Sequence, residues 1–354
     1  MRKFYTLFSL LILFSVNGFS QAGRSVYAFL DLPVSSRIGA LGGTNVSLRD
    51  GDLNFAFKNP ALLSPQTHNM IALNVTNYLA DIAFGTAAYG RSFGEKNFAG
   101  VGIQYIDYGK FLAKTETNEN PDGGDTEVYF TAQDLAFYIM YARPLSEHLT
   151  IGTTLKPIYS AYERYTSFGL AVDVGLNYSN ENEQFSAGLV FRNIGRQLKG
   201  YYSDKDGEHL EALPFDIQLG LSQKLKHAPL RFSLTLNNLH IWDLSYNSTN
   251  KKNDTNIDGS ENTDGKIGFF DMALRHAIIG VEFLPGKNFY LAAAYNHRRH
   301  QELIMPGFKS LSGFSFGAGI KLAKFHVGFA MTQFQAGAYS YNFSISTSLT
   351  EFGL

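Results

Sequence analysis

Near its C-terminal end the chain alternates without a break. Tyr339, Tyr341, Phe343, Ile345, Thr347 and Leu349 interleave with Ser340, Asn342, Ser344, Ser346 and Ser348. Successive side chains of a strand point to opposite faces, so such a segment has one apolar face and one face of hydroxyls and amides. The rhythm recurs along the sequence and predicts fourteen strands, at 69–77, 81–91, 97–108, 131–142, 149–161, 166–178, 184–194, 215–224, 230–241, 274–284, 289–299, 313–322, 325–334 and 338–349. Most are near the ten residues that cross a bilayer at a tilt. Phe168, Leu170, Val172, Val174 and Leu176 form one apolar row, and Phe215, Ile217, Leu219 and Leu221 another. This pattern predicts an all-β, 14-stranded antiparallel transmembrane barrel with lipid outside and a polar bore.

The connections support the same reading. The long ones, at 109–130, 195–214, 242–272 and 300–312, all follow odd-numbered strands, whereas every connection after an even-numbered strand is short. Outer-membrane barrels have short periplasmic turns and longer outside loops, so both chain ends are expected on the periplasmic side. Residues 1–20 read as a signal peptide, with Arg2 and Lys3 ahead of an apolar core from 7 to 16, too short for a membrane helix. Export without a membrane helix points to the outer membrane. Residues 21–67 do not alternate. Their Gly and Pro residues suggest turns and short helices, expected to fold into the bore as an N-terminal hatch ahead of a barrel at 68–354.

Composition narrows the functional classes. Of 354 residues only 17% are charged, the formal net charge is −1, and there is no Cys. Nothing suggests nucleic acid, and neither a disulfide framework nor a lipoprotein anchor is possible. Nine scattered His residues and the lack of a Gly-x-Ser-x-Gly elbow give catalysis little support, so no catalytic residue is assigned. His276 and His326 fall at inward positions and read as hydrogen-bonded bore residues. Lys156, Asp173, Arg192, Asp216, Arg231, Glu282 and Lys321 also face inward in this register. A Lys or Arg turned to lipid at the midplane would cost about 2–4 kcal/mol. Inside, opposite charges can pair with one another and with hatch groups such as Arg37, Asp50 and Asp52.

Asp254, Asn256 and Asp258 alternate ahead of Gly259 like the first half of a calcium loop, but position twelve is Gly265 and helical flanks are missing. Calcium is the only cofactor suggested, and a polar outside loop is the better reading. Paired Arg298 and Arg299, where a strand leaves the membrane, could grip lipopolysaccharide phosphates. The plainer reading turns one to the bore and one to the interface. Long outside loops, with Asn120, Asp122, Tyr201, Tyr202 and Trp242, are candidates for docking a partner.

Several runs resemble the PorQ family of the type IX secretion system, a relative of PorV and of the wider FadL-like barrels. In the hatch they are Tyr-Ala-Phe-Leu-Asp-Leu-Pro at 27–33, Ser-Arg-Ile-Gly-Ala-Leu-Gly-Gly at 36–43, which includes Arg37, Gly42 and Gly43, and Asn-Pro-Ala-Leu-Leu at 59–63, which begins with Asn59 and Pro60. In the barrel they are Tyr-Ile-Asp-Tyr-Gly at 105–109, Leu-Lys-Pro-Ile-Tyr-Ser at 155–160, Tyr-Thr-Ser-Phe-Gly at 165–169 and Asn-Ile-Gly-Arg-Gln-Leu-Lys at 193–199. The Asn-Pro-Ala element is common to FadL-like barrels at large. The resemblance implies a non-enzymatic anchor in the cell-surface attachment complex. That anchor would dock a PorZ-like surface protein beside PorU and PorV, with lipopolysaccharide as a neighbour. The rival expectation is a FadL-like transporter of hydrophobic molecules. Inward Gly169, Gly175 and Gly188 would leave room for its pocket. A lipid-hydrolysing barrel is the remaining alternative.

Overall fold

Fourteen strands close on themselves. The computed structural model describes residues 25–79, 82–113, 128–203, 207–244, 268–303, 311–335 and 338–353. The strands are β1 (Met70–Leu79), β2 (Ile82–Phe93), β3 (Asn97–Ala113), β4 (Val128–Pro144), β5 (Leu149–Tyr162), β6 (Tyr165–Ser179) and β7 (Phe185–Lys199), followed by a two-stranded outside hairpin, β8 (Tyr201–Ser203) and β9 (Gly207–His209). The barrel resumes with β10 (Asp216–Lys224), β11 (Leu230–Leu236), β12 (Ala277–Phe283), β13 (Phe289–Asn296), β14 (Phe314–Leu322), β15 (Phe325–Gln335) and β16 (Ala338–Ser348). Each barrel strand pairs with its neighbours in sequence, and β1 pairs antiparallel with β16 to close the ring. Closure leaves no unpaired sheet edge, which a bilayer requires.

The two-residue rhythm sets the faces. Leu73, Val75, Phe137, Ile139, Ile279 and Phe343 are each roughly half exposed on the outer wall, while their neighbours Asn74, Thr76, Ala136, Tyr138, Ile278 and Asn342 are buried inside. All fourteen predicted strands are present. Three ends differ. Strand β11 stops at Leu236 rather than 241, β12 begins at Ala277 rather than 274, and β13 stops at Asn296 rather than 299. Short helices replace the missing turns of strand. They are α2 (Phe269–Arg275) and α3 (His297–Leu303), named after α1 (Ser36–Ala40) in the N-terminal segment. The sequence after Leu236 has left the apolar rhythm, so nothing holds it in a pleated wall. Among the described residues, no helix is long and apolar enough to cross a membrane.

The N-terminal segment from 25 to 69 runs through the bore. Helix α1 packs on β13 to β16, while a 3₁₀ turn at Pro60–Leu62 packs on β4, β5 and β6, on the opposite side of the ring. Its folding follows local chemistry. Ser35, Asp52 and Asn59 each accept a backbone N–H at the start of a helical turn, and Pro60 begins its turn where a missing N–H costs nothing. Phe29, Leu30, Ile38, Leu53, Phe55, Phe57 and Leu63 are buried among the inward Phe84, Tyr138, Met140 and Ile158 of the wall. The space left by the inward glycines is taken up. A Cβ at Gly169 would meet the Tyr27 ring, at Gly175 the Asn59 side chain, and at Gly188 the Val46 carbonyl. These glycines seat the segment instead of lining an empty pocket.

Candidate functional site

Two layers of charge cross the bore. The middle layer is built on β5, β6 and β7. Lys156 Nζ lies 2.6 Å from Asp173 Oδ1, and neither side chain is exposed. The same Asp173 oxygen accepts the backbone N–H of Asn193 at 2.7 Å. Asn193 has φ +55°, at a point where the β6–β7 register shifts. It also accepts a hydrogen bond from Lys156 and donates from Nδ2 to the Pro214 carbonyl at 2.7 Å. One carboxylate therefore replaces the ladder partner that the bulge removes. Arg192 extends from the bulge to the N-terminal segment, donating to the Leu30 carbonyl at 3.0 Å and lying 3.4 Å from Asp31. Lys58, fully buried in that segment, donates to the Leu32 carbonyl at 2.8 Å.

The second layer lies near the short turns between strands. Arg37 of α1 is 2.9 Å from Glu282 on β12, 2.6 Å from Asp50 and 3.6 Å from Asp52. Arg231 on β11 reaches Glu282 at 2.7 Å and Asp50 at 2.9 Å. Two guanidinium groups thus share three carboxylates, tying the segment to the wall. The Arg37 guanidinium also lies over the Phe55 and Tyr290 rings. A cavity of about 600 Å³ opens beside this layer, lined by Arg37, Asp50, Asp52, Lys224, Tyr290 and His326 among others. A second, of about 300 Å³, opens toward the outer rim and is lined by Asp31, Arg192, Asp216, Asn237, Asn296 and Arg299. Charged and amide side chains dominate the second, whereas in the first they are mixed with apolar groups such as Met70, Leu284, Phe289 and Ile320.

The remaining candidates are placed as follows. Asp216 accepts from Gln218 at 2.6 Å and from the Asn238 N–H at 2.6 Å. Lys321 sits apart from both layers and pairs at 2.7 Å with Glu351 at the rim that carries the short turns. That hydrogen bond holds the Glu351 carboxyl below its ordinary range. Gly42 and Gly43 have φ of +87° and +101°, a region that glycine enters freely, and the Gly42 carbonyl accepts from Arg299 at 3.2 Å. Asn59 donates to the Val46 carbonyl at 2.8 Å and to Leu176 of the wall at 3.2 Å. Arg298 pairs with Glu302 at 2.7 Å on α3. His276 caps α2 instead of standing on a strand, with its ring nitrogens 2.8 and 3.2 Å from the carbonyls of Asn237 and Trp242. Tyr201 turns inward, 2.5 Å from Ser160, whereas Tyr202 and Trp242 are exposed. Asn120, Asp122, Asp254, Asn256, Asp258 and the signal peptide lie outside the described residues.

Sequence reasoning missed Asp31, Lys58 and Asn193. A signal existed for two of them: Asp31 between Leu30 and Leu32, and Lys58 within Leu-Asn-Phe-Ala-Phe-Lys-Asn-Pro, are lone charges in apolar runs. Such charges are tolerated only where the fold supplies partners.

No known family profile matches the chain, and no curated protein is similar to it in sequence. Solved structures are. The toluene transporter TodX of Pseudomonas putida has a TM-score of 0.54 and 12% identity over 92% of this chain and 98% of its own. A FadL homologue of Pseudomonas aeruginosa has a TM-score of 0.51 and 10% identity over 92% of this chain and 100% of its own. A likeness at this identity concerns the fold alone: the chain is a closed fourteen-stranded antiparallel barrel whose architecture resembles theirs.

Proposed function

We propose that the chain is a plugged outer-membrane barrel that serves as a non-enzymatic scaffold, docking a surface partner through its outside loops. One observation carries this reading. The bore is crossed by buried charges that join the N-terminal segment to walls on both sides: Arg192 of β7 reaches the Leu30 carbonyl and Asp31, while Arg37 pairs with Glu282 of β12 and Asp50 with Arg231 of β11. Breaking such a pair leaves an uncompensated buried charge, so the bore resists opening. The resemblance to the PorQ family supplies the partner class, a PorZ-like surface protein in an attachment complex with PorU and PorV. The aromatic ring exposed on the β8–β9 hairpin, Tyr202, suits a docking surface.

A second reading is a conduit for hydrophobic molecules, and the structural comparisons favour it over docking. TodX, described as a toluene transporter and monoaromatic hydrocarbon channel, shares the fold over nearly the full length of both chains. The charged groups in the lining of both cavities speak against it, because such cargo is held by apolar surface.

Reconstituted vesicles separate the two. A scaffold leaves toluene and fatty-acid entry at the rate of empty vesicles, and shortening one outside loop abolishes capture of the surface partner from detergent extracts. Accelerated entry through the intact chain, with every shortened variant still capturing the same partner, would refute the scaffold and favour the conduit.

A further inference from the structure

The barrel wall is uneven in height. Strands β3 and β4 have 17 residues each, but β11 and β12 have only 7 and β13 has 8. At about 3.3 Å per residue and a tilt of about 40°, seven residues rise about 18 Å, short of the roughly 25 Å apolar band of an outer-membrane barrel. The deficit lies at the outer ends of β11, β12 and β13, where α2 and α3 sit.

Helix α2 has the side chains to fill it. Phe270 and Leu274, one turn apart on one flank, are 82% and 46% exposed, and Phe269 is 68% exposed. The opposite flank is buried. Met272 accepts a hydrogen bond from the Leu244 N–H, and His276 is held by two carbonyls. The Trp242 ring stacks between Phe269, at 5.1 Å, and His276, at 5.6 Å. Polar contacts fix where the helix lies. Asp271 pairs with Arg275 within the helix and accepts from His297 Nε2 at 2.8 Å. His297 Nδ1 in turn meets the hydroxyl of Tyr295, an outward-facing residue of β13. The helix is therefore tied to the outward Tyr295 at the end of β13, and it runs directly into β12, whose outward Ile279 is exposed on the lipid-facing belt.

We propose that α2 and Trp242 form an outer-leaflet lipid-binding surface, in which Phe269, Phe270, Leu274 and Trp242 take up acyl chains and restore the missing height of the wall. Continuity with the lipid-facing belt selects lipid over a protein partner. The proposal rests on the membrane reading of the barrel and is independent of what the barrel docks or transports.

Trp242 is the only tryptophan of the chain, so its fluorescence reports on this surface alone. The full-length protein is inserted into phosphatidylcholine vesicles whose acyl chains carry bromine near the glycerol end. Insertion is checked by the faster gel migration of the unboiled barrel. The expected result is a drop of about twofold in Trp242 emission with bromolipid and little quenching by aqueous acrylamide, as for an aromatic ring in the interfacial belt. In a Phe270→Ser, Leu274→Ser variant that still inserts, bromolipid quenching shrinks and acrylamide quenching grows. An inserted barrel whose Trp242 is quenched by acrylamide and spared by bromolipid overturns the proposal. So does one whose Trp242 is spared by both, because protein then covers the flank. A chain that stays in solution without surfactant removes the membrane reading and this proposal together.

Discussion

Lys156 and Asp173 meet at 2.6 Å on a diagonal of the β5–β6 ladder, where Asp173 stands opposite Thr154 and Lys156 opposite Ala171, and neither side chain reaches solvent. The pair does more than neutralise two charges. Asp173 also receives the Asn193 N–H, and Lys156 donates to the Asn193 side chain, so both ions hold the bulge from which Arg192 reaches the N-terminal segment. Wall geometry and bore filling depend on the same two residues.

Removing only the cation should therefore be costly. Lys156→Met is expected to lower stability by about 3–5 kcal/mol, because Asp173 remains buried without its counter-ion. Lys156→Met combined with Asp173→Asn should recover part of that loss, because the amide oxygen can still accept the Asn193 N–H. Urea unfolding in lipid vesicles, followed by gel mobility, measures both. Equal losses in the single and double variants would mean that the charge on Asp173 has no energetic role.

The glycines that seat the segment allow a different test. Gly188→Ala drives a methyl group into the Val46 carbonyl, and a side chain cannot move a neighbouring backbone cheaply. The expected cost is about 1–3 kcal/mol, with the barrel intact and the N-terminal segment more readily cut by protease. Gly94→Ala, at the short β2–β3 turn with φ +65° and open space around it, serves as the comparison, since it carries backbone strain without a clash.

The barrel was legible in the sequence because one physical rule, apolar out and polar in, repeats at every second residue within the strands that lie between Met70 and Ser348. Inward positions such as Asp173, Arg192 and Glu282 followed from the same parity. Their partners did not. Asp31, Asp50 and Lys58 belong to irregular backbone without a period, and which of them meets Arg192 or Arg231 depends on how the segment threads the ring. Helices α2 and α3 were hidden for another reason. Each continues directly from, or into, a strand, and a seven-residue helix is too short to impose its own periodicity on the sequence.

Arg37 is the link most exposed to test. It joins Asp50 and Asp52 of the N-terminal segment to Glu282 of β12. Arg37→Met leaves Asp50 with Arg231 alone and frees α1 from the wall beside the 600 Å³ cavity. In planar bilayers the intact chain should be nearly non-conducting, and the variant should show frequent opening events. A variant as quiet as the parent would mean that the apolar packing of Phe55, Ile38 and Leu53 closes the bore without this clasp.

Acid should loosen the outer rim through Asp271. Its carboxyl is held below the ordinary value of 3.8, first by the hydrogen bond from His297 and then by Arg275, against a smaller opposing effect of burial. A carboxylate whose folded pKa is depressed contributes stability above its unfolded pKa and loses it as pH falls through the folded value. The packing of α2 on α3 should accordingly be constant from neutrality down to about pH 5 and weaken below about pH 4. Trp242, stacked on Phe269 of α2, reports the change as a shift in emission. Asp271→Asn should remove the acid-induced shift, because no proton is then taken up at this position. An acid shift of the same size in that variant would assign the transition to another group.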